Sequence, residues 1–147
     1  MRKIVKLMFV ASVLMLSSCE KFIMNNDGFV NTETEEEHNL DDCVALQEDG
    51  IMVQKYDISS GADWGEANNL CKKSRVGGYK DWRLPTIGEL QVLYNKRDAI
   101  GGFDVNAYWS STRNGYESYY YLNFKDGTQN SRDDSYTARV RAVRTLP

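Results

Sequence analysis

The chain has 147 residues, a formal net charge of −3, three cysteines and one histidine. That length suits one folded domain with a short appendage, and the near-balanced charge argues against a nucleic-acid binder, whose affinity needs a surplus of cations. The one imidazole, His38, falls in an acidic stretch outside the expected domain, which argues against Ser-His-Asp and Cys-His catalysis.

Arg2, Lys3 and Lys6 accompany a run from Ile4 to Leu16 that is apolar apart from Lys6 and Ser12. This run is shorter than the roughly 20 residues that span a bilayer, so residues 1–18 read as a signal peptide. Leu16-Ser17-Ser18-Cys19 is similar to a bacterial lipobox, which implies lipidation of Cys19 as the first mature residue. An ordinary secretory signal with an incidental cysteine is the other reading. Lipid chains anchor because each buried CH₂ contributes about 0.8 kcal/mol. The expected location is therefore a bacterial outer membrane or cell surface, with the membrane as a partner through the lipid. Glu20 stands where enteric lipoproteins carry an Asp for inner-membrane retention.

Without residues 1–18, which hold three cations and no acids, the net charge of −3 becomes −6. Glu33, Glu35, Glu36, Glu37, Asp41 and Asp42 carry that charge within residues 31–42. Residues 19–42 therefore read as the lipidated cysteine and an acidic, disordered tether, because like charges and scarce apolar residues cannot offset ordering entropy. An acidic docking tail is the alternative. The domain expected at 43–147 has 14 basic and 13 acidic residues and is nearly neutral. With Cys19 assigned to lipid, Cys43 and Cys71 form a candidate disulfide pair, worth roughly 3.6 kcal/mol for a loop of about 28 residues. Two unbridged thiols are the alternative.

Ile51 to Tyr56 alternates weakly and predicts a strand. Asp63 and Glu66 stand at capping-box spacing, and Trp64, Ala67, Leu70 and Cys71 share one helical face. Gly77-Gly78 ends that helix. Thr86 and Glu89 repeat the cap, Pro85 blocks an earlier start, and Ile87, Leu90, Leu93 and Tyr94 form the second apolar stripe. Beyond Gly101-Gly102 the period becomes two. Ala107–Thr112 and Tyr116–Phe124 flank an Asn114-Gly115 hairpin turn, Asp126-Gly127 marks a second turn, and Thr128–Ser131 and Tyr136–Arg144 complete the set. The expectation is an α+β domain: two helices followed by an antiparallel β-meander.

Tyr119 and Tyr121 share one strand face and Tyr120, Leu122 and Phe124 the other. If one face is core, the other displays tyrosines, so Tyr116, Tyr119 and Tyr121 are ligand-binding candidates, with plain strand propensity as the alternative. Basic residues gather late, at Arg113, Lys125, Arg132, Arg139, Arg141 and Arg144. Arg139 and Arg141 point the same way along one strand and are the cationic binding candidates, although the domain's near-neutrality opposes a strong polyanion field. Asp126, Asn130, Asp133 and Asp134 are weak calcium candidates, better explained as turn residues. No other cofactor and no catalytic residue is expected.

Three blocks carry a family resemblance: Gly78-Tyr79-Lys80-Asp81-Trp82-Arg83-Leu84-Pro85-Thr86, Tyr108-Trp109-Ser110-Ser111-Thr112, and Arg139-Val140-Arg141-Ala142-Val143-Arg144. Together they resemble the Lcl C-terminal domain family, long catalogued as a domain of unknown function, over about Gly50 to Arg144. The resemblance implies a C-type-lectin-like fold, related to the formylglycine-generating sulfatase-modifying domains. It implies no sulfatase-modifying activity, because the late cysteine pair of those enzymes has no counterpart after Cys71. Family members often carry a cysteine where this chain has Ala142, so a family-typical bridge to the last strand is absent. The packing reading makes Trp82, Arg83, Pro85 and Trp109 mostly structural. The collagen-like adhesin that names the family is associated with sulfated glycosaminoglycans. The expected function is a non-catalytic, lipid-anchored binding module for a glycan or matrix component; the alternatives are a protein-interaction subunit of an envelope assembly and, less favoured, a formylglycine-generating enzyme.

Overall fold

The computed structural model describes residues 40–147, which belong to one unit, Glu35–Pro147. The expectations for the signal peptide, Cys19, His38 and most of the tether lie outside the described residues. Leu40–Asp42, which composition assigns to the tether, forms a 3-10 turn, and the Asp42 carbonyl accepts a hydrogen bond from Lys55 N at 2.8 Å.

The described chain is a mixed α+β domain, mostly strands. In order it runs β1 (Cys43–Leu46), β2 (Ile51–Gln54), β3 (Ser59–Ala62), α1 (Trp64–Lys73), α2 (Ile87–Asn95), α3 (Arg97–Ile100), β4 (Ala107–Arg113), β5 (Ser118–Asn123), β6 (Gln129–Asp133), β7 (Ala138–Val140) and β8 (Val143–Thr145). Both expected helix starts are present. The Asp63 carboxylate accepts from Glu66 N at 2.8 Å. At α2, Thr86 Oγ1 accepts from Glu89 N while Glu89 Oε2 accepts from Thr86 N, a full capping box. Each such cap contributes about 1 kcal/mol by satisfying donors that the helix leaves unpaired.

The strands depart from the expected order. Three precede the helices, and the late strands are not a simple meander. One sheet runs β1-β2-β8 and the other β3-β7-β4-β5-β6. β7 returns to pair in parallel with β4 at Tyr108↔Arg139, while the remaining pairings are antiparallel. Alternation along a strand sets its own two faces but not its neighbour, so β7 could not be placed from the sequence. The single strand expected over Tyr136–Arg144 is divided. β7 joins the larger sheet and β8 the smaller, and Arg141-Ala142 spans the step between them.

Both faces of the larger sheet are covered. Ala67 and Cys71 of α1 pack with Trp109, Tyr119, Tyr121 and Val140 on one side. Leu90 and Leu93 of α2 pack with Tyr108, Leu122, Phe124 and the smaller sheet's Ile51, Val53 and Val143 on the other. This corrects the expected tyrosine display: Tyr119 and Tyr121 are buried, because α1 occupies the face that would otherwise have been open. Trp64 lies flat on Tyr119, ring centroids 3.7 Å apart.

The cysteines also depart from expectation. No disulfide joins Cys43 to Cys71. Cys71 is buried on the inner face of α1, where it fills the core as a small apolar side chain. The Cys43 sulfur lies against the Gly77 turn, 3.5 Å from where a Cβ on Gly77 would stand. Ala142 is buried in the same cluster as Cys71.

Candidate functional site

The conserved-looking blocks of the sequence meet one another in space. Arg83 and Val143 exchange two backbone hydrogen bonds at 2.9 Å, which adds Arg83 to the free side of β8. Asp81 takes the Arg144 guanidinium at 2.8 and 3.0 Å, and that guanidinium covers the Tyr79 ring at 3.9 Å. Arg83 grips Glu89 with both terminal nitrogens, at 2.7 and 2.8 Å, and reaches Thr145 Oγ1 at 3.3 Å. Burial opposes the charge on Glu89, but the Arg83 guanidinium and the Thr86 backbone N–H outweigh it and hold the carboxyl below its usual value. Pro85 is fully buried beside the second block. Its carbonyl accepts from Ser111 N at 2.7 Å, and Thr112 Oγ1 accepts from Ile87 N at 3.0 Å.

The three tryptophans are fixed by their indole N–H groups. Trp82 donates to Val76 O, Trp109 to Ala62 O and Trp64 to Ser110 O, at 2.9–3.0 Å. Trp82, Arg83, Pro85 and Trp109 thus bind the α1–α2 connection to β4 and β8. Such a clasp explains why these residue types occur together: each polar group taken from water has a partner.

Arg139 and Arg141 are brought together, but inward. Both meet Asp57, in the β2–β3 connection. Arg139 Nη1 donates to Oδ2 at 3.0 Å and Arg141 Nε to Oδ1 at 2.7 Å. The Tyr108 hydroxyl donates to the same carboxylate at 2.8 Å. Arg141 has no exposed surface and also donates to the carbonyls of Gln54, Lys55, Gly101 and Gly102. Arg139 holds Asp104 as well. A buried guanidinium persists only where such partners replace its water, so neither arginine is a surface cation. Burial pushes the Tyr108 phenol well above its ordinary value. The same knot accounts for Gly102, whose φ is 69° and where any Cβ would collide with the Lys55 carbonyl.

Of the remaining sequence candidates, Tyr116 is 89% exposed at the β4–β5 turn, next to Glu117, whose φ of 49° is unusual for a side-chain-bearing residue. The calcium candidates do not converge. Asp126 accepts from Thr128 N and Oγ1, Asp133 accepts from Ser135 Oγ, and Asn130 and Asp134 are exposed elsewhere on β6 and the following turn. No group of three or more acidic, histidine or cysteine residues is placed to hold a metal among the described residues.

The concavity that sequence reasoning missed lies at the α3–β4 loop. It has a volume of about 380 Å³. Phe103 and Phe124, stacked at 4.8 Å, form an aromatic floor, and Arg97, Asp98 and Asp104 supply polar atoms around Val105. Arg97 is steadied over the Tyr94 ring at 4.2 Å and by the Tyr94 carbonyl at 2.7 Å. Arg141 supports Phe103 from behind, 4.0 Å from its ring centre. The internal arginine therefore shapes the groove without touching its contents. The Gly101-Gly102 pair was the available signal, since paired glycines mark a loop with unusual backbone demands.

The sequence model of the Lcl C-terminal domain family matches residues 21–144. The chain belongs to this family. No curated protein matches it. In this Lcl C-terminal domain the matched region begins well before Gly50, so the acidic stretch of residues 31–42 falls inside it. No helix among the described residues is long and apolar enough to cross a membrane.

Proposed function

We propose that this Lcl C-terminal domain is a non-catalytic binding module, anchored by lipid at Cys19 to a bacterial outer membrane or cell surface, that takes a sugar unit of a glycan in the Phe103–Phe124 groove. The observation that carries the reading is the pairing of an aromatic floor with polar groups at its rim. A sugar ring offers an apolar face to stack and hydroxyls to bond, and sites of this kind are concave with few polar contacts. The volume suits one or two sugar rings rather than an extended polymer. The two-sheet domain with helices between early and late strands is compatible with the C-type-lectin-like fold that the family resemblance implies, and we carry that finer assignment as part of the proposal. Neutral sugars fit better than sulfated ones, because Arg139, Arg141 and Arg144 are all held by carboxylates.

The test is a glycan array followed by calorimetry on the full chain in neutral detergent, with and without EDTA. Binding should survive EDTA. Asp98→Ala should weaken it by roughly tenfold, the loss of one hydrogen bond to a charged group, and Tyr116→Ala should leave it unchanged. A blank array removes the glycan reading. Loss on Tyr116→Ala with Asp98→Ala unaffected moves the site off the groove.

A further inference from the structure

A second feature lies where the chain enters the domain. Lys72 and Lys73 close α1, Arg75 follows, and Lys80 ends the turn. All four are exposed. Among the described residues none of them joins an ion pair, whereas Arg83, Arg139, Arg141 and Arg144 all do. From Ala67 to Lys80 the sequence holds no acid. Asp81 follows directly, but its carboxylate is taken by Arg144. Arg75 is turned back to the Lys72 and Ser74 carbonyls, which fixes its charge at the end of α1.

Leu40–Asp42 packs against Val76–Gly78, the turn between these cations. The residues just upstream include Glu35, Glu36 and Glu37. Five residues of extended chain reach at most about 18 Å, which is the scale of the cationic rim itself. A charged segment tethered at that range is present at an effective concentration of order millimolar, and no solute anion competes on those terms at moderate salt.

We propose that Glu35, Glu36 and Glu37 dock in cis on the rim formed by Lys72, Lys73, Arg75 and Lys80. The acidic stretch then works as a shield as well as a spacer: it cancels the attraction of this rim for anionic surfaces. In the lipid-anchored protein, the rim lies on the side where the anchor segment enters, so the shield keeps the domain from lying down on anionic headgroups. That consequence rests on the lipid-anchor reading; the docking does not, and it is independent of the groove.

The experiment uses the full chain in neutral detergent with a zero-length carbodiimide cross-linker, an isotopically mixed sample separating intramolecular from intermolecular products. Cross-links from Glu35–Glu37 to Lys72, Lys73 and Lys80 should dominate at about 0.01 M salt, where charges act over roughly 30 Å, and collapse at about 1 M, where the range is roughly 3 Å. Three exposed pairs, each worth about a factor of two, predict a fall of roughly eightfold. A yield to these lysines no higher than to Lys125, in the β5–β6 turn, overturns the proposal. In parallel, the triple variant Glu35→Gln, Glu36→Gln, Glu37→Gln should bind phosphatidylglycerol vesicles several-fold better than the wild type. Equal binding by the two, with circular dichroism unchanged, also overturns it and makes the rim an unshielded lipid-facing surface.

Discussion

Asp57 is the residue on which the interior charge balance depends, and Asp57→Ala is the most informative single substitution. It removes the acceptor for Arg141 Nε at 2.7 Å, Arg139 Nη1 at 3.0 Å and the Tyr108 hydroxyl at 2.8 Å. Arg139 keeps Asp104, but Arg141 keeps only backbone carbonyls and has no access to water. Breaking a buried pair from one side costs about 3–5 kcal/mol, and the surviving carbonyls place this case near 3 kcal/mol. With a urea dependence of about 2 kcal/mol per molar, the unfolding midpoint should fall by roughly 1.5 M. Adding Arg141→Met removes the stranded charge, so the double variant should be more stable than the sum of the two single losses implies, by about 1.5 kcal/mol or more. The reasoning fails if Asp57→Ala moves the midpoint by less than about 0.5 M, or if the two substitutions are additive. A second consequence follows from Arg141 backing Phe103: the groove loses its floor when the knot is broken, so a folded Asp57→Ala protein should also lose sugar binding.

Two further outcomes are expected. With Cys19→Ser to leave two cysteines, no reductant and full denaturation, two thiols should react; a count of zero would restore the bridge. In the native protein at mildly alkaline pH, Cys43, half-buried and raised by burial and by Asp42, should react first, while Cys71, pushed up to about 12 by burial, should stay silent until unfolding. Glu89 predicts an acid dependence. Its folded pKa lies below the unfolded value of about 4.3, so its contribution is complete above that pH and is lost as pH falls through the folded value. Glu89→Gln should therefore lose stability at neutral pH and show a shallower decline on acidification. Parallel urea midpoints for the two proteins across that range would dismiss the Arg83–Glu89 pair as a source of acid sensitivity.

Local chemistry was legible because its causes are local. The caps at Asp63 and Thr86, the turns at Asn114-Gly115 and Asp126-Gly127, and the apolar faces of α1 and α2 each depend on residues a few positions apart. The family blocks were legible for a related reason: Trp82, Arg83 and Pro85 are specific residue types crowded beside a helix start. What the blocks fastened to was not, since Arg83 meets Val143 and Asp81 meets Arg144 across some sixty residues of chain.

The binding candidates failed at the same boundary. Alternation put Tyr119 and Tyr121 on one face and Leu122 and Phe124 on the other, and that division is what the structure has. Alternation carries no information on whether one layer or two will cover the strand; α1 and α2 settle that by packing on opposite sides. Likewise Arg139 and Arg141 do lie on one side, but the partner awaiting them is Asp57, more than eighty positions earlier. Charge and periodicity alone determined the helices, the turns, the paired tyrosine faces and the acidic stretch. Only the tertiary structure decided that β7 returns to β4, that the two arginines point into the protein, and that the Gly101–Val105 loop closes over Phe124 to leave a groove, because each depends on contacts between segments that no local pattern connects.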